Sequence, residues 1–206
     1  MAVGARVRGG CVVAGAAVLA LAAGSGPAAG AADPWRPRPG SLYISDLPRT
    51  ESWRAAPIAR GWGDAQECLA AWPGERPEVN VWHRDFTTAE TAFAQQKVVV
   101  FATEAEAIAF AETTRRGYAA CADAPRPPGV TATGYDHGVV DVEEGATLWG
   151  MRTVDAGARE RPCFNYLWGV GRDGDTVTLV LWSSYWGEPP VAAWKNTLRT
   201  AVNKLY

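Results

Sequence analysis

Between residues 130 and 182 the chain strings four strand-like segments together with no helix between them, and that run limits what it can fold into. The segments are 130–142, 147–154, 163–170 and 176–182, each rich in β-branched and aromatic residues. Arg172-Asp173-Gly174-Asp175 separates the last two and reads as a tight hairpin turn. Two further strands, 79–86 and 95–101, come earlier. Strands that follow one another through short turns pair antiparallel, whereas a parallel doubly wound sheet needs a helix after each strand.

Two helices complete the pattern. Thr103-Glu104-Ala105-Glu106 is a capping box, in which the Thr hydroxyl serves the N3 amide and the Glu reaches back. The helix behind it carries Ala107, Phe110, Ala111, Thr114, Tyr118 and Cys121 along one stripe, with Arg115 and Arg116 near its end where the dipole favours cations. A last helix follows Pro189-Pro190, a proline being favourable at N1. Its stripe is Val191, Trp194, Leu198, Ala201, Val202 and Leu205. The order β-β-α-β-β-β-β-α predicts an α+β fold: a twisted antiparallel sheet of about six strands, with two main helices packed on one face.

The first 32 residues read as a cleaved signal peptide. Arg6 and Arg8 form a basic start, residues 11–23 are apolar and small, and Ala28-Ala29-Gly30-Ala31-Ala32 offers the small residues a signal peptidase needs. The apolar run falls short of the about 20 residues that a membrane span requires. Cys11 stands at the start of that run, not at its end as a lipid-acceptor cysteine would. Secretion is therefore the expected localisation. Residues 33–40 hold three prolines and read as an extended leader, and residues 41–206 as a single domain of a size that can bury a proper core. All 22 acidic residues lie beyond the signal, against 20 basic residues of which Arg6 and Arg8 are two, so the exported part is net acidic and carries no footprint for nucleic acid.

Three cysteines remain after the signal: Cys68, Cys121 and Cys163. An oxidising compartment implies one disulfide and one cysteine left over. Three pairings are possible, and Cys68 with Cys121 is the one that pins the irregular amino-terminal region to the end of a helix. Cys163 is then either a buried thiol on a strand or the link of a covalent dimer, a monomer being the expected state.

The search for chemistry is mostly negative. No nucleophile elbow, zinc-protease helix, Cys–His couple or phosphate-cradling glycine loop occurs, and His83 and His137 lack metal-ligand spacing. No cofactor is expected. His83 and Asp85 stand two apart on a strand and share a face, the one pair from which a small hydrolase could be built, but no serine is marked as its nucleophile. Asp136-His137-Gly138 and Glu143-Glu144-Gly145 read as turns.

Tryptophan is the unusual feature. All ten lie beyond residue 34. On the strands they keep parity: Trp82 with Phe86, Trp149 with Met151, Phe164 with Tyr166 and Trp168, and Val180 with Trp182. Val177, Leu179 and Leu181 take the opposite side of the last strand. These alternations predict one aliphatic sheet face under the helices and one aromatic face. The aromatic face is either a second core or a cleft built from Trp82, Trp149, Trp168 and Trp182 that stacks sugars or lipid tails.

Several short runs resemble the PknH-type extracellular sensor domain family. They are Leu42-Tyr43-Ile44-Ser45-Asp46-Leu47-Pro48 followed by Trp53, the stretch from Phe101 through Phe110 to Cys121, and Cys163-Phe164-Asn165-Tyr166-Leu167 leading into Val177-Thr178-Leu179-Val180. The resemblance implies a twisted antiparallel sheet with flanking helices and a cleft, displayed outside the cell and binding an unidentified ligand, with no established catalytic activity. Together with export and the tryptophan parity it makes a small molecule or envelope component the expected ligand. It also implies two disulfides, whereas here Cys163 lacks its expected partner. A secreted protein-interaction or inhibitor module is the alternative from another class.

Overall fold

The computed structural model describes residues 38–49, 52–64, 68, 80–158, 162–185 and 187–206. The signal-peptide reading of residues 1–32 and most of the leader fall outside the described residues. After a short 3-10 turn at Ile44–Asp46 the elements are β1 (Arg54–Ala55), β2 (Ala59–Arg60), β3 (Val81–Thr87), β4 (Phe93–Val100), α1 (Glu104–Ala119), β5 (Val130–Val140), β6 (Ala146–Asp155), β7 (Cys163–Asp173), β8 (Thr176–Ser184) and α2 (Val191–Asn203).

All described strands join one antiparallel sheet in the order β1-β3-β4-β8-β7-β6-β5, with β2 also on β3. The chain leaves the middle of the sheet at β4, crosses through α1 to the far edge, and returns by three hairpin steps until β8 lies beside β4. The α+β class stands. The two extra strands, β1 and β2, are two-residue pieces too short to leave a periodic signal.

One part of the expectation is corrected: the helices do not share a face. α1 packs on Val99, Trp168, Val170, Val177, Leu179 and Leu181, whereas α2 packs on Leu148, Leu167, Val180 and Trp182. Each strand contributes alternate residues to two cores, so the sheet is buried on both sides. The split into an aliphatic and an aromatic face also fails, because the register sets Trp168 beside Leu181 and Leu167 beside Trp182.

Local chemistry explains the helices. Glu106 donates its backbone N–H to Thr103 Oγ1 at 3.3 Å, and its carboxylate accepts from the Thr103 N–H at 3.1 Å. The stripe Ala107, Phe110, Ala111, Thr114 and Tyr118 is buried as its spacing predicts. In α2, Trp194, Leu198, Ala201 and Val202 are buried, and Pro190 takes the N-cap position rather than N1. The helix lies close to β7 because glycines stand beneath it. A Cβ on Gly171 would meet Val202 Cγ2 at 2.3 Å, and one on Gly169 would meet Leu198 Cδ2 at 2.8 Å. Gly171→Val should therefore cost about 1–3 kcal/mol of stability by overpacking, read as a lowered midpoint in urea.

The hairpin at Gly174 forms with a φ of 55° at the glycine, as its turn sequence requires. Arg172 ties it down: its guanidinium lies 2.6 Å from Glu144 and 3.1 Å from Glu104. Glu144, read from sequence as a solvated turn residue, also accepts from the Gly174 N–H at 2.9 Å. At the other end of the chain Leu42 is fully buried and donates its N–H to Gln96 Oε1 at 2.7 Å. The Lys204 ammonium pairs with Asp46 and so closes the carboxyl end of α2 onto the amino-terminal segment. Cys68 and Cys121 are bonded, with Cα atoms 5.6 Å apart, within the usual disulfide range.

Candidate functional site

The four tryptophans of the expected cleft do not come together. Trp149 and Trp168 face each other across β6 and β7 on the α1 side. Trp182 belongs to the α2 core, and Trp82 keeps parity with Phe86 of that same core. Trp82, Trp168 and Trp182 are buried at 8%, 1% and 2% exposure, whereas Trp149 is only partly covered. Trp149 is the member of the set that is not buried.

That ring belongs to an aromatic column. Tyr166 stacks on Trp168 with centroids 5.1 Å apart and planes 4° from parallel, and Tyr118 of α1 covers Trp168 at 5.8 Å and 18°. Tyr118 then meets Trp149 at 6.1 Å in a tilted contact. The column ends at a concavity of ≈ 330 Å³, whose walls include Tyr118, Asp123, Gly134, Asp136, Trp149 and Met151. It lies between the carboxyl end of α1 and the outer strands β5 and β6. Gly134 lets the walls meet, since a Cβ there would stand 2.9 Å from Ala122 Cβ.

The electrostatics of the concavity are one-sided. Asp123 and Asp136 line it, and no basic side chain does among the described residues. The Tyr118 hydroxyl is buried with no hydrogen-bond partner among the described residues, as is the Trp168 Nε1–H. Burial holds the Tyr118 phenol above its ordinary pKa, so it stays protonated. A buried hydroxyl without a partner costs about 1–3 kcal/mol. The site can therefore stack a ring or an apolar face on Trp149 and accept hydrogen bonds at two carboxylates.

Two other hollows differ in kind. A groove of ≈ 570 Å³ runs along the disulfide past Arg116, Pro125 and Arg126, and it borders Cys68, whose chain neighbours fall outside the described residues. A smaller hollow of ≈ 180 Å³ on the α2 side includes Tyr135, His137, Arg152, Asn165 and Glu188. There Asn165 Nδ2 donates to Gly187 O at 3.0 Å, and Tyr135 stacks on His137 at 6.2 Å. Burial, aided by Lys195, holds the His137 imidazole below its ordinary pKa.

The residues of the hydrolase alternative are occupied separately. His83 Nδ1 bonds Gly61 O at 2.8 Å, and Asp85 Oδ1 accepts from Gln95 Nε2 at 2.6 Å. The two side chains share a face but bond different partners, and no serine hydroxyl bonds His83 among the described residues. Cys163 is half-buried on β7, with the Arg152 guanidinium 3.3 Å from its sulfur.

Sequence reasoning placed Tyr118 in the core stripe and Asp136 in a turn. Tyr118 lies in that stripe, whereas Asp136 stands within β5 rather than in a turn; its Oδ1 accepts from the Gly138 N–H at 2.7 Å where the strand bulges and Gly138 has a φ of 77°. Their convergence depends on the β5–β6 register, which sets Asp136 opposite Trp149.

No family model matches the chain, and no curated protein matches it. A search of solved structures found the extracellular domain of PknH from Mycobacterium tuberculosis. The likeness has a TM-score of 0.48 and 13% identity, covering 78% of this chain and 94% of that one. It concerns the course of the fold alone.

Proposed function

We propose that this chain is a secreted, sensor-like domain that binds a small molecule or cell-envelope component without transforming it, and that the ligand docks on Trp149. The observation that carries this reading is the concavity beside β5 and β6. There a partly open indole and two carboxylates converge, and the residues lining it hold no nucleophile–base couple. The disulfide agrees with maturation in an oxidising compartment.

The reading is tested by intrinsic fluorescence and thermal shift of the protein purified from cells expressing the full chain, against neutral sugars, peptidoglycan fragments, lipids and small metabolites. A ligand at 100 times its dissociation constant should add about 2.7 kcal/mol of stability. Trp149→Ala, or Trp149→Phe should the alanine protein fold poorly, should abolish or sharply weaken that response. Tyr118→Phe should raise the stability of the ligand-free protein by about 1 kcal/mol, because it deletes an unpartnered buried hydroxyl. A full response in the Trp149 variants would remove this site from the binding function.

A further inference from the structure

The open side of β5 lies against the same concavity. β5 runs from Val130 to Val140 at the end of the strand order and pairs only with β6 among the described strands. Its first six residues, Val130-Thr131-Ala132-Thr133-Gly134-Tyr135, contain no charge and no proline. Exposed edges of that length are usually blunted by lysine, proline, a bulge or a covering segment, because their unpaired N–H and C=O groups template another strand. Here Thr131, Thr133, Gly134 and Tyr135 are solvent-exposed, and the first irregularity is the bulge between Asp136 and Val139. The exposed threonines keep this edge wetter than an aggregating one, which suits reversible pairing.

We propose that this edge accepts an extended polypeptide segment as an added strand, with a lysine or arginine of that segment seated beside Asp136. This rests on the reading that the Trp149 concavity is the binding site, and it names the class of ligand. Asp136 is registered against Trp149 on one side. A strand added on the other side would set one of its residues directly across from Asp136, with Cβ atoms about 5 Å apart. The Gly138 N–H occupies Asp136 Oδ1 and leaves the second carboxylate oxygen for a partner. Asp123 stands on the far wall, no cationic side chain lines the cavity among the described residues, and the Trp149 ring adds a cation–π surface. Backbone pairing supplies the affinity, and the acidic aromatic hollow selects the basic residue.

The test uses the protein purified from cells expressing the full chain and a capped six-residue probe of alternating threonine and valine with one central lysine. Two further probes carry N-methyl groups on alternate residues, in opposite phase. NMR should show the lysine probe slowing hydrogen exchange at alternate amides of residues 130–136. One methylation phase should abolish binding and the other leave it intact, since only one edge of the probe faces β5. Exchanging the probe lysine for glutamate should weaken binding about five-fold. Asp136→Asn, which keeps the acceptor for Gly138, should weaken the lysine probe by a similar factor. Equal binding by both methylation phases, or unprotected β5 amides, would overturn the proposal. So would protection that grows with protein concentration in the absence of probe, which would assign the edge to a second copy. If the probe fails while a small ligand still depends on Trp149, the strand inference alone falls. If nothing depends on Trp149, the cleft reading falls with it.

Discussion

Replacing Trp194 by alanine should lower the unfolding free energy by about 3–5 kcal/mol, the largest effect expected of any single side chain here. Trp194 is fully buried and shares one core with Leu42, Leu47, Trp53, Phe86, Leu148, Leu167, Trp182 and Leu198. That core joins α2 to the sheet and to the amino-terminal segment, so the cavity left by the indole would open at the junction of three parts of the chain. Surrounding side chains cannot collapse into it easily, because Gly169 and Gly171 already hold α2 against β7 at its closest approach. Trp194→Phe is the informative control. The indole Nε1–H has no acceptor among the described residues, so phenylalanine gives up no hydrogen bond and should cost well under half as much as alanine. Urea unfolding of both variants, with an unchanged m-value, checks the comparison. A phenylalanine loss above half the alanine loss would indicate a hydrogen bond made by the indole nitrogen.

The same helix shows how far the sequence could be read. Its spacing marked Trp194, Leu198, Ala201 and Val202 as inward, and they are. Spacing did not mark Thr197, which is buried because its hydroxyl donates to Asp46 O at 2.7 Å across 151 residues of sequence. Strand parity was equally legible: the partners of Trp149, Trp168 and Trp182 on their own strands lie where alternation put them. What alternation cannot supply is the register between strands. A shift of one residue carries a side chain to the opposite face, so Trp168 and Trp182 end on different sides although each sits correctly on its own strand. The same gap hid the placement of the helices, since a two-residue period does not say which helix covers which side. The concavity stayed hidden for a related reason. Tyr118 comes from α1, Asp123 from the short 3-10 turn Cys121–Asp123 behind it, Asp136 from β5 and Trp149 from β6, and the β4-to-β5 crossover through α1 brings them together.

Removing the disulfide, by Cys68→Ser or by mild reduction, should cost about 4 kcal/mol, a loss comparable to that of the Trp194 cavity. The bridge closes a loop with a sequence separation of 53, and in the chain-entropy model that length constrains the unfolded chain by about this amount. The folded side of the balance is unfavourable too. Both cysteines are buried at 6% exposure in the core that carries α1 and includes Tyr118 and Met151, so a serine hydroxyl there is buried in largely apolar surroundings. Cys121 lies directly behind α1, and its carbonyl takes a 2.8 Å hydrogen bond from Arg126, so the bridge also anchors the segment leading into β5. Thermal unfolding with and without reductant checks the expectation, with Cys163→Ser as the control. Cys163 is half-buried at the start of β7, outside either core, and its removal should leave the reductant-sensitive drop in Tm intact. If the drop instead vanished in that variant, the sensitive bond would be an intermolecular one through Cys163, and the covalent dimer would replace the monomer as the stable form.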